Sequence, residues 1–166
     1  MAEKDQIIEE KLDYSGLVKF SDLYEYTHSW FAEEDYGVVE EKYAEKISGN
    51  SKEIDIDWKC TKQLSDYFKL ELKVGWEIKG LVDVEVEVDG KKKKMQQGKI
   101  KLKFKGMLVK DPKSEWDTSP GWRFLRDVYN KYIVPQRVDA MEDKVKSDVQ
   151  DVKEKVKAYL DLTAKR

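Results

Sequence analysis

An alternating pattern that runs from Phe68 to Val109 constrains the fold of this chain more than any other feature. Between Phe68 and Ile78, apolar residues occupy every second position, and mostly charged residues lie between them. The alternation returns from Val82 to Val88 and again from Ile100 to Phe104. A period of two places the apolar side chains on one face of a strand. The pattern therefore predicts a long antiparallel sheet with one apolar and one charged face.

The dipeptide Asp89-Gly90 predicts a tight hairpin turn inside this run. Both residues tolerate the positive φ angles that a two-residue turn requires. A turn of that length places Glu87 opposite Lys92 and Glu85 opposite Lys94, so that the acidic strand faces the basic one. The lone Gly80 is a weak break, which favours one long strand that bends there and at Gly75.

Further elements flank this central run. Shorter strands are predicted at Leu12–Val18, Val38–Ile47 and Glu53–Cys60. A helix with an aromatic face is predicted to begin at a Ser21 cap and to end near Gly37. A second helix is predicted to begin at Ser119-Pro120 and to stop or kink at Pro135, and its apolar stripe continues to Tyr159 with a period of 3.6 residues.

Together these elements predict a single α+β domain over residues 1–166. We expect a curved antiparallel sheet of five to six strands, with one N-terminal amphipathic helix and a long C-terminal helix, kinked or broken at Pro135, on its apolar face. The core is assigned to residues 12–134. The helix over 135–166 is expected to extend beyond the sheet.

Charge and cysteine content narrow the classes of function. The 32 basic and 34 acidic residues give a net charge of −2, which disfavours a nucleic-acid binder. A single cysteine excludes an internal disulfide, and the apolar runs are too short for a membrane span. These features predict a cytoplasmic, soluble protein, and the abundance of lysine and glutamate is typical of thermophiles.

Neither the histidine nor the cysteine carries a recognisable catalytic pattern. His28 is the only histidine, so a hydrolase or cyclase would need an acidic residue brought to it by the fold. Cys60 ends an inward-facing alternation and is interpreted as a small buried apolar residue. The run Lys91–Lys94 is interpreted as solvent-facing and partly paired, with a phosphate patch as the alternative. We therefore predict no catalytic residue, metal or cofactor.

Aromatic residues from both helices and the sheet are predicted to share one interior. Such an interior is either a packed core or the lining of an apolar ligand pocket. The predicted ligand-binding residues are Trp58, Phe68, Trp76, Trp122, Leu125 and Tyr129.

The order of strand, helix, antiparallel strands and long C-terminal helix resembles the helix-grip arrangement of the START-like superfamily. That superfamily includes lipid carriers, polyketide cyclases and a co-chaperone domain, and the resemblance implies an apolar cavity between sheet and helix. The leading hypothesis is a non-enzymatic binding module for an apolar small molecule or lipid. The alternative is a co-chaperone-like or oligomerising domain, whose C-terminal helix contacts a protein partner or second copy through Val145, Val149, Val152 and Val156.

Overall fold

The chain folds into one antiparallel sheet with an N-terminal helix and a long C-terminal helix packed on one of its faces. The structure is a computed structural model that describes residues 3–65, 67–110, 120–128 and 135–164. The elements are β1 (Glu3–Val18), α1 (Phe20–Glu33), β2 (Gly37–Ser48), β3 (Ser51–Gln63), β4 (Phe68–Val88), β5 (Lys91–Lys110), α2 (Pro120–Val128) and α3 (Pro135–Ala164). The five described strands lie in the order β1-β5-β4-β3-β2. This arrangement confirms the α+β class and the antiparallel sheet.

The hairpin of β4 and β5 has the predicted turn and register. Asp89 and Gly90 both adopt positive φ, at 54° and 78°. Glu85 pairs with Lys94, and the next acidic residue toward the turn pairs with a lysine in the same way. β4 continues as one strand of 21 residues, as the weak break at Gly80 suggested.

A β-bulge in β4 shifts the alternation of its last residues. The register shifts between Lys79 and Val82, where Gly80 and Leu81 lie opposite the single residue Gly98. An extra residue in one strand turns the following side chains to the other side of the sheet. The side chains of Val82, Val84 and Val86 therefore leave the phase that the alternation predicted, and all three are only partly buried.

A second bulge, in β2, has the same effect on a shorter strand. Val39 pairs with Lys59 on the outer face, whereas Tyr43 pairs with the buried Ile56 on the inner face. The register shift between Glu40 and Lys42 accounts for the change. The sequence pattern, read without a bulge, had placed Val39 and Tyr43 on one side.

The first strand and first helix differ from the predicted boundaries. β1 begins at Glu3 rather than Leu12, because it pairs with β5 along its whole length. α1 begins at Phe20 after an N-cap residue, Lys19, that forms no side-chain cap bond, so the predicted Ser21 cap is wrong. At the other end the positive φ belongs to Asp35, at 63°.

The long helix α3 packs its valine stripe against β1 and β5. Its buried apolar residues are Val145, Val149, Val152, Val156 and Leu160. Gly106 of β5 lies directly beneath, and a Cβ atom there would come within 2.5 Å of Val145 and 2.9 Å of Val149. The helix therefore rests almost on the sheet backbone at this position. The predicted kink or break at Pro135 depends on the path of residues 129–134, which lie outside the described residues.

Buried polar groups connect α3 to α1 and the turn that follows it. The hydroxyl of Tyr36 donates to Asp148 at 2.6 Å, and Lys144 donates to the same carboxylate at 2.9 Å. One turn further on, the indole of Trp30 donates to Asp151 at 2.9 Å. Asp148 is buried, so these two donors compensate the loss of water around its charge.

Replacing Tyr36 by Phe is expected to lower the free energy of unfolding by about 1–3 kcal/mol, because Asp148 loses a buried donor. Burial, followed by the hydrogen bond to Asp148, raises the pKa of the Tyr36 phenol far above its ordinary value. The neutral phenol therefore stabilises the fold fully below pH about 10, and this contribution is lost as the pH rises further. Denaturant unfolding at pH 7 and pH 11 should show a smaller difference between the two proteins at pH 11. An unchanged difference would contradict this assignment.

Candidate functional site

Several aromatic side chains form a cluster between α1 and the inner face of the sheet. We define the aromatic cluster as Phe20, Tyr24, His28, Trp58 and Trp76. The two indoles project from neighbouring strands β3 and β4, and their ring centroids lie 5.1 Å apart. Both are almost fully buried. They form the floor of the cluster.

One stripe of α1 covers this floor. Phe20, Tyr24 and His28 are spaced four residues apart and so share one face of the helix. The Tyr24 ring lies 5.0 Å from Trp58 and 6.0 Å from Trp76, and Phe20 lies 6.1 Å edge-on to Trp76. His28 contacts the edge of Trp58 at 5.8 Å. Tilted and edge-to-face rings at these distances attract one another.

The two indole N–H groups of the floor have different environments. Trp58 Nε1 donates to Glu40 Oε1 of β2 at 3.3 Å, and the Tyr24 hydroxyl donates to the same oxygen at 2.8 Å. Trp76 is 2% exposed, and its Nε1 is the only buried side-chain polar atom without a hydrogen-bond partner among the residues that the structure describes. One of two adjacent donors is therefore satisfied, and the other is not.

The edge strand β2 forms the outer border of the cluster. Tyr43 and Ile47 are exposed by 49% and 66%, although their pairing places them on the inner face.

Partial burial and then the hydrogen bond to Glu40 raise the pKa of Tyr24. Its phenol therefore stays protonated at neutral pH and acts as a donor.

The structure brings together only part of the predicted ligand-binding set. Trp58 and Trp76 are in contact, but Phe68 lies eight residues before Trp76 in β4, a distance of about 26 Å at 3.3 Å per residue. Leu125 of α2 is 49% exposed and does not face the interior as predicted. The side chain of Trp122 and the whole of Tyr129 lie outside the described residues.

The predicted partner surface on α3 is placed in the core. Val145, Val149, Val152 and Val156 are all 0% exposed. These valines are the inner face of α3, because the helix lies along β1 and β5 instead of projecting past them. They offer no exposed surface to a partner in this structure.

The remaining candidates occupy ordinary positions. Cys60 is buried, and burial raises the pKa of its thiol to about 12, so it stays protonated and unreactive at neutral pH. Lys91–Lys94 are exposed on the hairpin. In the described part of the chain, no cluster of His, Cys, Asp or Glu has the arrangement of a metal site, and none of the helices is long and apolar enough to span a membrane.

Sequence reasoning missed how this site is composed. It predicted an aromatic face on the first helix, but it did not associate Phe20 and Tyr24 of that face with Trp58 and Trp76 in particular. Glu40 was missed altogether, since nothing in the β2 sequence distinguishes it from its neighbour Glu41. The spacing of four residues from Phe20 to Tyr24 and His28 was the signal that could have indicated a shared face.

Comparison with known proteins adds no family to this description. The chain matches no family model, no curated protein and no solved structure.

Proposed function

We propose that this chain is a non-enzymatic binding domain for an apolar small molecule that carries a hydrogen-bond acceptor. The aromatic cluster is its binding site. The observation that carries the proposal is the buried Trp76 indole, whose N–H has no acceptor while that of adjacent Trp58 has one.

A buried donor without a partner costs about 1–3 kcal/mol, and folded proteins contain few of them. An acceptor oxygen on a bound ligand would remove that cost for Trp76. The surrounding rings of Phe20, Tyr24 and Trp58 supply apolar area, while Glu40 is already occupied by two donors. An apolar lining with few polar groups is the usual composition of a small-molecule site.

Access to Trp76 is proposed along the flank of α1. Phe20 and Tyr24 are only partly buried, and their rings cover Trp76 at centroid distances of 6.1 and 6.0 Å. Rotation of these two side chains would open a path from the exposed border at Tyr43 to the indole. The bound ligand would then contact Trp76 in place of the Phe20 and Tyr24 rings.

The test compares Trp76→Phe with the matched control Trp58→Phe. The probe is Nile red, an apolar dye with a carbonyl acceptor, and binding is followed by its fluorescence. Wild type should bind saturably, and Trp76→Phe should weaken binding about threefold to tenfold because one hydrogen bond is lost. Trp58→Phe should change affinity less, since its N–H already binds Glu40.

Stability gives an independent readout for the same two variants. Trp76→Phe removes a donor that has no partner, whereas Trp58→Phe breaks the hydrogen bond to Glu40. The free energy of unfolding should therefore fall less in Trp76→Phe than in Trp58→Phe. Equal dye affinity in wild type and Trp76→Phe, or no saturable binding to wild type, would refute the proposed site.

A second candidate function is an interaction or oligomerising domain, favoured by the surface of α2. Phe124 and Leu125 are exposed by 67% and 49% on this short helix. Neighbouring exposed apolar side chains of this size are common at protein interfaces. Native mass spectrometry of wild type and of a Phe124→Ser, Leu125→Ser variant would test it: a wild-type dimer lost in the variant supports it, and a wild-type monomer at high concentration contradicts it.

A further inference from the structure

The outer face of the sheet carries three lysines side by side, on three neighbouring strands. Lys59 of β3 pairs with Lys73 of β4, and Lys73 pairs with Lys105 of β5. We call these three residues the lysine row. Directly opposite side chains in antiparallel strands have Cβ atoms about 5 Å apart, and like charges in that position destabilise the sheet. The register therefore concentrates positive charge at one place at a cost to folding.

Ion pairs compensate only part of this charge. Lys59 lies 3.4 Å from the buried carboxylate of Glu71. Glu9 is the cross-strand neighbour of Lys105, but its carboxylate pairs with Lys103 at 3.1 Å. Lys73 and Lys105 form no ion pair with any acidic residue that the structure describes. Within the described part of the chain, two of the three lysines thus have no ion pair.

Nearby lysines also act on Glu9, the cross-strand neighbour of Lys105. The pKa of Glu9 is lowered, first by its hydrogen bond with Lys103 and then by the charges of Lys103, Lys105 and Lys11. These lysines therefore favour the charged form of Glu9, although the whole chain carries a net charge of −2.

A missing side chain opens a notch beside the lysine row. Gly75 follows Lys73 on the same face of β4, between Asp57 and Lys103 on the neighbouring strands. A Cβ atom at Gly75 would have only ordinary contacts, at 3.8 Å to Asp57 and 3.9 Å to Lys103, so the space above it is open. A small cavity of about 160 Å³ lies there. Its lining includes Lys73, Lys103 and Lys105, with Asp57 as the one acidic residue.

We propose that this notch binds the phosphate group of a small molecule or free inorganic phosphate, held by Lys73, Lys103 and Lys105. A compact anion with several charges would offset Lys73 and Lys105, which have no ion pair with a described acidic residue, and it would fit the space that Gly75 leaves. Asp57 lies on the opposite wall, where it can accept a hydrogen bond from a hydroxyl group of a phosphate ester.

The neighbouring charges favour a compact anion over a nucleic-acid strand. The notch continues into a wider groove of about 670 Å³, whose lining includes Asp13, Asp55, Asp57 and Glu77 as well as lysines. A polyanion that followed this groove would meet those four carboxylates, which offset the four lysines of the lining. A single phosphate group at the lysine row avoids them, apart from Asp57.

The proposal is tested by calorimetric titration at pH 7 and constant ionic strength, with inorganic phosphate and with AMP as separate probes. Wild type should bind at least one probe saturably, and Lys73→Gln and Lys105→Gln should each weaken that binding about fivefold or more. The control Lys99→Gln removes the same charge from an exposed position six residues before Lys105 in β5. It should change affinity less than twofold. Tighter binding of AMP identifies a phosphate ester as the ligand, and equal binding identifies the free oxyanion.

A glycine variant separates the effect of the shape of the notch from the effect of its charge. Gly75→Val fills the notch without altering any charge, and the backbone there is ordinary strand, so the variant should fold and lose binding. In phosphate-free buffer, Lys73→Gln should also raise the thermal midpoint, because it relieves repulsion within the lysine row. Failure of wild type to bind either probe, equal losses in Lys99→Gln and Lys73→Gln, or full binding by Gly75→Val would overturn the proposal.

Discussion

Gly106→Val is expected to destabilise the domain by more than about 3 kcal/mol, which is a large part of the 5–15 kcal/mol that typical domains possess. The cause is the close approach of α3 to β5. Even a single Cβ atom at this position would come within 2.5 Å of Val145 and within 3.0 Å of Ile8. The valine side chain would force the helix away from the sheet and expose the buried apolar stripe of α3.

Urea denaturation followed by circular dichroism measures this effect. Gly37→Val is the matched control, since a Cβ atom at Gly37 would meet only the carbonyl oxygen of Thr61, at 3.9 Å. The control should lie within about 1 kcal/mol of wild type. If both variants unfold at the wild-type urea concentration, α3 does not pack on Gly106 as described.

Val152→Asp is expected to unfold the domain, because it places a carboxylate at a fully buried position on the inner face of α3. Burial of an unpaired charge is one of the few changes that lower the free energy of unfolding by more than about 4 kcal/mol. Gln150→Asp introduces the same side chain two residues away at an exposed position, so it should leave stability nearly unchanged.

This pair of variants also decides the role of the valine stripe. A core role predicts loss of the cooperative unfolding transition in Val152→Asp alone, as measured by thermal circular dichroism. If Val152→Asp is instead a stable monomer while wild type is an oligomer by size-exclusion chromatography, the stripe is an interface between chains.

Local patterns in the sequence were sufficient to predict the central hairpin. The turn at Asp89-Gly90 and the pairing of Glu85 with Lys94 follow from residues that are close in the chain, and both are confirmed. The inward alternation of Ile54, Ile56, Trp58 and Cys60 in β3 is confirmed for the same reason. Each of these predictions depends only on a period of two and a short connection.

The errors came from features that depend on partner strands. The bulge at Gly80 takes the following valines out of the predicted phase, and the bulge near Glu40 separates Val39 from Tyr43. A bulge adds one residue to one strand only, so alternation within that strand cannot reveal it. The exposure of Leu125 was missed because a helical stripe indicates an apolar face but not what covers it.

The candidate site could be predicted only in part. Trp58 and Trp76 were recognised as inward-facing, but their contact depends on the register between β3 and β4. The contrast between a satisfied and an unsatisfied indole depends on the position of Glu40, which belongs to a third strand. Such long-range geometry has no counterpart in the composition or spacing of the sequence.

Native mass spectrometry of wild type and Trp76→Phe, purified gently from the same host, tests the central claim most directly. We expect wild type to carry a stoichiometric small-molecule mass and Trp76→Phe to lose most of it, because the ligand's acceptor would bind the Trp76 indole. A wild-type chain without added mass, or a Trp76→Phe variant that retains the full mass, would contradict the proposal that the aromatic cluster binds such a ligand.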